Sequence, residues 1–371
     1  MTIVKVQLPS FLSFFAPYYI HSLTPIVTQS RLKTSGRNSA NTLQDNAGRD
    51  SGTEEQSSME NFPPLDFMIP HQFEGVVRPF LLHLPISFWK YQDLQDHKSI
   101  PKVPVWMFLH GMGGTPEWAA AETGLSQFAD QNDFIVVYPS GNIPFPHRPI
   151  KFLTNPPFWN DGAVREDGLT NQIDDVSYLK EVLDWLERYL SVSRFFLAGF
   201  SNGAGMSFRL VTELTNRFAA VAPVSGYYWL RSLTFAPPVP TFYLVGDRDP
   251  LVPLSGGKVR TFWGQREERI PVEQMWFEWG TAMSGYTTRK LLQEESDCHR
   301  YGFFKQSSQE ITQEITQEIA EPLFEALIIH EMGHHWPGGQ GGLGEKLGGP
   351  IQQRFQANEL IWNFFKKHLE S

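Results

Sequence analysis

The sequence predicts an α/β protein built on a doubly wound, mostly parallel sheet with helices on both faces, and three observations carry that prediction. Short unbroken apolar runs of strand length recur along the chain, as expected where a strand is covered on both sides. Stretches with apolar residues at helical spacing alternate with them. One of the strands runs directly into Gly199-Phe200-Ser201-Asn202-Gly203 and a further helical stretch.

In chain order, the apolar start Phe11 to Ile20 follows Lys5 and is cut by Pro17. A secretory signal needs a stronger positive start, an uninterrupted apolar stretch and a small-x-small cleavage site, so no clear signal peptide is read here. No run of about 18 apolar residues predicts a transmembrane segment. From about Gln29 to Asn61 the composition turns to Ser, Thr, Asn, Gln, Gly and charge, which cannot offset its ordering entropy by burial and predicts a disordered linker. Residues 1–60 are therefore read as an N-terminal extension and 61–371 as one catalytic α/β domain.

Within that domain, strands are expected over residues 76–84, 103–109, 134–138, 195–199, 219–224, 241–245 and 323–329. Helices are expected over 117–131, 176–190, 203–215 and 351–368; the second carries Val176, Leu179, Val182, Leu183 and Leu186 on one stripe. Right-handed crossovers then wind the helices onto both faces. An insertion near 307–321 repeats Gln309-Glu310-Ile311-Thr312 as 313–316 and, with Ala320 last, as 317–320. Its four-residue period places Ile311, Ile315 and Ile319 on one slowly drifting helical stripe, read as a solvated surface segment.

Composition narrows the chemistry. At 371 residues and 41% hydrophobic content the chain can bury a sizeable core. The net charge of −9, without a long block of Lys or Arg, sets nucleic acid and anionic membrane surfaces aside as partners. Cys298 is the single cysteine, so no intramolecular disulfide and no cysteine-based metal cluster can form within the chain.

The Gly-x-Ser-x-Gly between strand and helix is the context of a nucleophile elbow: a tight turn that exposes Ser201 at a strand's C-terminal end, over a helix N-terminus. A serine hydroxyl needs a histidine to take its proton, and that histidine needs a carboxylate to fix its tautomer. After the serine, Gly246-Asp247-Arg248-Asp249-Pro250 ends a strand, with Asp249 the expected acid and Asp247 the reserve; His330-Glu331-Met332-Gly333-His334-His335 ends another, with His334 the expected base. The amide of Asn202 is an expected oxyanion donor. A second is expected from Met112 in His110-Gly111-Met112-Gly113-Gly114, where glycines let the chain turn its amides inward. His110 is expected to support that loop.

Two rivals stand beside this reading. His330-Glu331-Met332-Gly333-His334 matches the His-Glu-x-x-His signature of zinc metalloproteases, which requires both histidines on one helix. Against a helix stand the strand before it, Gly333 within it and Trp336-Pro337-Gly338-Gly339 after it. The other rival is a catalytically silent binding protein on the same fold.

Taken together, His110-Gly111, 136–141 (Val-Val-Tyr-Pro-Ser-Gly), Trp159-Asn160-Asp161, Asp174-Asp175-Val176, the elbow, Asp249-Pro250 and Gly333-His334-His335-Trp336-Pro337-Gly338-Gly339 resemble the polyhydroxybutyrate depolymerase and feruloyl esterase group of the α/β-hydrolase superfamily, itself similar to acetylxylan esterases. The resemblance implies the α/β-hydrolase fold, Ser201, Asp249 and His334 as the triad, and hydrolysis of hydroxyalkanoate, feruloyl or acetyl esters through an acyl-serine, with no metal or organic cofactor. It implies Trp159 and Trp336 as substrate-binding residues lining an acyl or aryl pocket, or else holding the loops. A small or oligomeric ester is the expected substrate. Many members are exported, which implies an extracellular or periplasmic location, with a cytoplasmic one beside it because no clear signal peptide is present.

Overall fold

The computed structural model describes residues 65–91, 100–164, 173–230, 238–261, 264, 266–282, 286–305 and 322–370. The expected linker and the repeated insertion lie outside the described residues. In chain order the strands are β1 (Leu65–Ile69), β2 (Gln72–Phe73), β3 (Val76–Val77), β4 (Phe80–Leu84), β5 (Val103–Leu109), β6 (Ile135–Pro139) and β7 (Val192–Phe200). They continue with β8 (Ala220–Val224), β9 (Thr241–Gly246), β10 (Gly257–Arg260), β11 (Arg266–Arg269), β12 (Tyr286–Glu295), β13 (Cys298–Lys305) and β14 (Phe324–Ile329). The helices are α1 (Pro116–Thr123), α2 (Leu125–Asn132), α3 (Asp175–Tyr189), α4 (Asn202–Glu213), α5 (Val272–Ala282), α6 (Glu345–Gly348) and α7 (Ala357–Lys366).

Ten strands form one sheet in the order β1-β4-β6-β5-β7-β8-β9-β14-β13-β12. The pairs from β6 through β14 are parallel, and antiparallel pairs flank them on both sides. From β5 the chain winds first to β6 on one side and then to β7 and onward on the other, so the order reverses between β5 and β7. Ligands of open α/β sheets bind at such a reversal, off the carboxyl ends of the strands.

Both faces are covered, as the unbroken apolar runs require. Val105, Met107, Leu197, Tyr243 and Val245 pack on one side with Leu179 and Leu183 of α3, Met206 of α4 and Trp276 of α5. Trp106, Phe108, Phe196, Phe242 and Leu244 pack on the other with Ala119 of α1, Ala129 of α2 and Trp362 and Phe365 of α7. Burying each large side chain stabilises the fold by about 1.5–3 kcal/mol.

Three expected elements differ. The 117–131 helix is two helices, because Gly124 adopts φ 61° and its left-handed backbone caps α1 and opens α2. The 76–84 strand breaks at Arg78-Pro79: Val76–Val77 pairs back on Gln72–Phe73, and only Phe80–Leu84 joins the large sheet. The last helix begins at Ala357, since residues 350 and 352 serve as acceptors for the loop around His334 and Trp336. Strand β1, the β12–β13 hairpin and α5 carry no counterpart among the expected elements.

Candidate active site

The elbow is a consequence of close packing. A Cβ on Gly199 would lie 2.2 Å from the Gly203 carbonyl oxygen, and one on Gly203 would lie 2.1 Å from that of Leu109, so no larger residue fits either position. Ser201 between them is held at φ 58°, ψ −117°, a backbone conformation that costs a non-glycine residue on the order of 1–3 kcal/mol. Its amide donates to the Val224 carbonyl at 2.9 Å, and the Ser201 carbonyl accepts from Gly205 at 3.1 Å. The hydroxyl therefore stands at the carboxyl end of β7, at the sheet's reversal.

The structure brings Asp249 and His334 to that hydroxyl. His334 Nε2 lies 2.8 Å from Ser201 Oγ, and Nδ1 lies 2.8 Å from Asp249 Oδ2. With Nδ1 donating to the carboxylate, Nε2 is left to accept the serine proton. Asp249 is fixed in turn, its Oδ1 accepting the amides of Leu251 and Val252 at 2.8 Å each. Both His334 and Asp249 are buried.

The loop bearing His334 is pinned between two other segments. The Arg248 amide donates to the Met332 carbonyl, the Gly333 amide to that of Pro350 and the His334 amide to that of Gly348. A Cβ on Gly333 would sit 2.1 Å from the Gly348 oxygen. This explains Gly333 and removes the metalloprotease reading: His330 follows the end of β14 in a turn, Glu331 has φ 55°, and no helix carries the two histidines. They also reach different carboxylates, His330 Nδ1 lying 2.9 Å from Asp247 Oδ2.

The Met112 and Asn202 segments meet beside Ser201. Gly111 packs so closely that a Cβ there would lie 3.2 Å from Ser201 Cβ, and Met112 lines the cleft. Among the described residues no acceptor meets the amide of either Met112 or Asn202. The Trp159-Asn160-Asp161 segment fixes both chains. Trp159 Nε1 donates to the His110 carbonyl at 2.8 Å and the Trp159 amide to Asn202 Oδ1 at 2.7 Å. Asn202 Nδ2 donates to the Trp159 carbonyl and to Asp161 Oδ2. Asn160 donates its amide to Asp175, which also pairs with the buried Arg78 at 2.6 Å.

His110 supports its loop, donating from Nδ1 to the Gly111 carbonyl and accepting the Gly141 amide at Nε2. Burial, with the Arg78 charge nearby, pushes its pKa down to about 4, so it stays neutral.

A cavity of about 340 Å³ opens beside Ser201, lined by Met112, Trp118, Phe152, Phe200, Leu251, Leu343, Leu347, His334 and several glycines. No Asp, Glu, Lys or Arg is among the lining residues. Trp159 and Trp336, expected as walls of the pocket or as braces of the loops, are not among the residues lining the cavity. Both indoles are buried behind it, Trp159 bonded to His110 as above and Trp336 donating to Asn358 and packed edge-on against Phe108. Sequence reasoning missed Trp118 of α1 and Phe152 and Leu343 of two loops, which lie far apart in the chain. The signal available was indirect: Gly113 at φ 86° leaves room that Phe152 fills, its ring 2.4 Å from where a Cβ would be. Buried Glu122, whose carboxyl burial holds above its usual range, accepts the amides of Gly341 and Gly342 and sets the wall bearing Leu343.

Residues 96–262 match the phospholipase/carboxylesterase family, a span that includes Ser201 and Asp249 and ends before His334. A bifunctional acetylxylan esterase/xylanase from Neocallimastix patriciarum is 25% identical over 154 residues, 41% of this chain and 20% of that protein. Acyl-protein thioesterase 1 of Saccharomyces cerevisiae is 25% identical over 178 residues, 42% of this chain and 75% of that protein. Among solved structures, an acetyl xylan esterase from Aspergillus awamori aligns over 70% of this chain and 89% of its own, at 13% identity and a TM-score of 0.41. The chain spans 20%, 42% and 57% of the length of three of the curated relatives it matches. Among the described residues no helix is long and apolar enough to cross a membrane. The sheet order and the elbow at its reversal are those of the α/β-hydrolase fold, and the stretch from residue 96 to 262 is similar to the phospholipase/carboxylesterase family.

Proposed function

We propose that this chain is a serine-dependent carboxylic ester hydrolase, with Ser201 as nucleophile, His334 as general base and acid, and Asp249 orienting His334. The observation that carries the reading is the continuous hydrogen-bonded line from Asp249 Oδ2 through His334 to Ser201 Oγ. Ser201 Oγ attacks the ester carbonyl carbon while its proton passes to His334 Nε2. The amides of Met112 and Asn202 hold the negative oxygen that develops. The C–O bond to the alcohol then breaks, and His334 returns the proton to that oxygen, leaving an acyl-serine. Water repeats the sequence, releasing the acid.

The largely apolar cavity, lined by no Asp, Glu, Lys or Arg, supports an acyl or aryl group without charge, which accommodates hydroxyalkanoate, feruloyl and acetyl esters alike. The test is turnover of a panel of aryl, acetyl and hydroxybutyrate esters by the wild-type chain and by Ser201→Ala. The variant is expected to lose at least about a thousandfold in kcat with unchanged unfolding temperature. Equal turnover by the two proteins would refute the assignment.

A further inference from the structure

The segment after β6 departs from the character of the rest of the chain. No acidic residue occurs between Asp133 and Asp161, while His147, Arg148 and Lys151 stand among Phe145, Ile150 and Leu153. Every residue from 145 to 154 except Phe152 is exposed, and Phe145, Ile150 and Leu153 keep 41%, 45% and 63% of their surface accessible. Single exposed apolar residues need no explanation, but a cluster marks a surface that meets something.

This loop is held in shape. Buried Asn155 accepts the Phe145 amide at Oδ1, and its Nδ2 reaches the carbonyl oxygens of Phe145, Arg148 and Pro149 at 3.0, 3.1 and 3.3 Å. The backbones of Lys151 and Asn155 exchange hydrogen bonds in both directions, and Pro146 and Pro149 fix their own φ. The apolar side chains are thus presented by a frame and not by a slack chain. Neither Arg148 nor Lys151 forms an ion pair among the described residues; Arg148 lies over the Phe145 ring, 4.5 Å from its centre. Phe152, the residue turned inward, lines the cleft beside Ser201.

We infer that residues 145–154 form a docking loop for an anionic lipid surface, with Phe145, Ile150 and Leu153 entering the interface while Arg148 and Lys151 meet headgroup phosphates. Two signals of this kind are what stable attachment to a lipid surface requires, since neither a few apolar side chains nor a few cations suffice alone. An acidic peptide would use the cations and leave the apolar side chains without purpose. A neutral apolar surface would leave the cations unmatched. The acid balance of the whole chain, which argues against such a partner, is overruled locally because screening limits charge effects to about 8 Å at physiological ionic strength. Through Phe152, docking brings the surface to the mouth of the cleft. The inference stands apart from the reaction at Ser201, because binding is read without turnover.

The experiment is co-sedimentation of the full chain with vesicles of phosphatidylcholine alone and of phosphatidylcholine mixed with phosphatidylglycerol. Binding is expected to the mixed vesicles only, weakening as salt rises. Arg148→Glu with Lys151→Glu should lower it by about tenfold or more, and so should Ile150→Ser with Leu153→Ser, which leaves the charges in place. Both double variants are expected to keep the wild-type unfolding temperature and its turnover of a short, soluble ester. Absence of wild-type binding to the mixed vesicles, equal binding to the neutral ones, or binding that survives either double variant would overturn the inference.

Discussion

Two aspartate–histidine pairs stand side by side on the same two loops, and they differ in almost everything but composition. Asp249 and His334 are buried, and Ser201 completes their line. Asp247 and His330 are partly exposed, and the other oxygen of Asp247 accepts the Glu331 amide. A third pair, Asp66 and His83, is as buried as the first, and the second ring nitrogen of His83 faces a carboxylate, Asp130 Oδ1 at 3.3 Å. Burial together with an aspartate is therefore insufficient to mark a base; what distinguishes His334 is that its second ring nitrogen faces a nucleophile. Asp247 and His330 join the ends of β9 and β14, and Asp66 and His83 join β1 to β4.

The comparison can be broken in four places, in order of expected effect. Asp249→Asn should cost about ten-thousandfold in kcat at neutral pH, because the amide stabilises the wrong tautomer of His334. Steady-state kinetics on a short ester would read it, and a loss under about tenfold would remove Asp249 from its proposed role.

His83 comes next, and its effect is on stability. Burial opposes its charge, but its hydrogen bonds to the accepting carboxylates of Asp130 and Asp66, together with their negative charges, outweigh burial and push the pKa up to about 9. A raised histidine pKa stabilises the folded state fully below the unfolded value of about 6.5 and loses that contribution as pH rises toward about 9, a change on the order of 3 kcal/mol. Chemical denaturation across that range should show the decline in the wild type and a flatter profile in His83→Gln.

Trp159→Phe keeps the ring and removes the bond from Nε1 to the His110 carbonyl. With the loop of Met112 held less firmly, kcat should fall by about tenfold while KM changes little, since oxyanion donors act on the transition state. The smallest effect is expected from His330→Ala, a change of under about threefold in kcat, with no loss on adding a chelator. A collapse of activity in either experiment would restore a metal-dependent reading of that motif.

Much of this architecture was legible because it rests on short-range rules. The elbow follows from two glycines around a serine, and the strands at β5, β7, β9 and β14 follow from unbroken apolar runs. The convergence of Asp249 and His334 on Ser201 could be expected from their places at strand ends. The walls of the cavity could not, because Trp118 of α1 meets Phe152 and Leu343 only through the packing of two distant loops against that helix. Trp159 and Trp336 stayed open between two readings for the same reason: an indole in a loop near a site reads alike whether it faces the cavity or braces the loops beside it. The β12–β13 hairpin escaped because its residues, Thr287-Thr288-Arg289-Lys290 and Gln293-Glu294-Glu295 among them, are too polar to form an apolar run.

The segment with the threefold repeat joins β13 to β14, and so enters the fold where β14 begins. The six residues of β14, at roughly 3.3 Å each, carry the chain about 20 Å across the sheet before it reaches the loop of His334. Growth or shrinkage of that connection is thereby insulated from the reacting groups. It is the position at which this scaffold would accept a grafted tag or recognition peptide with its chemistry intact.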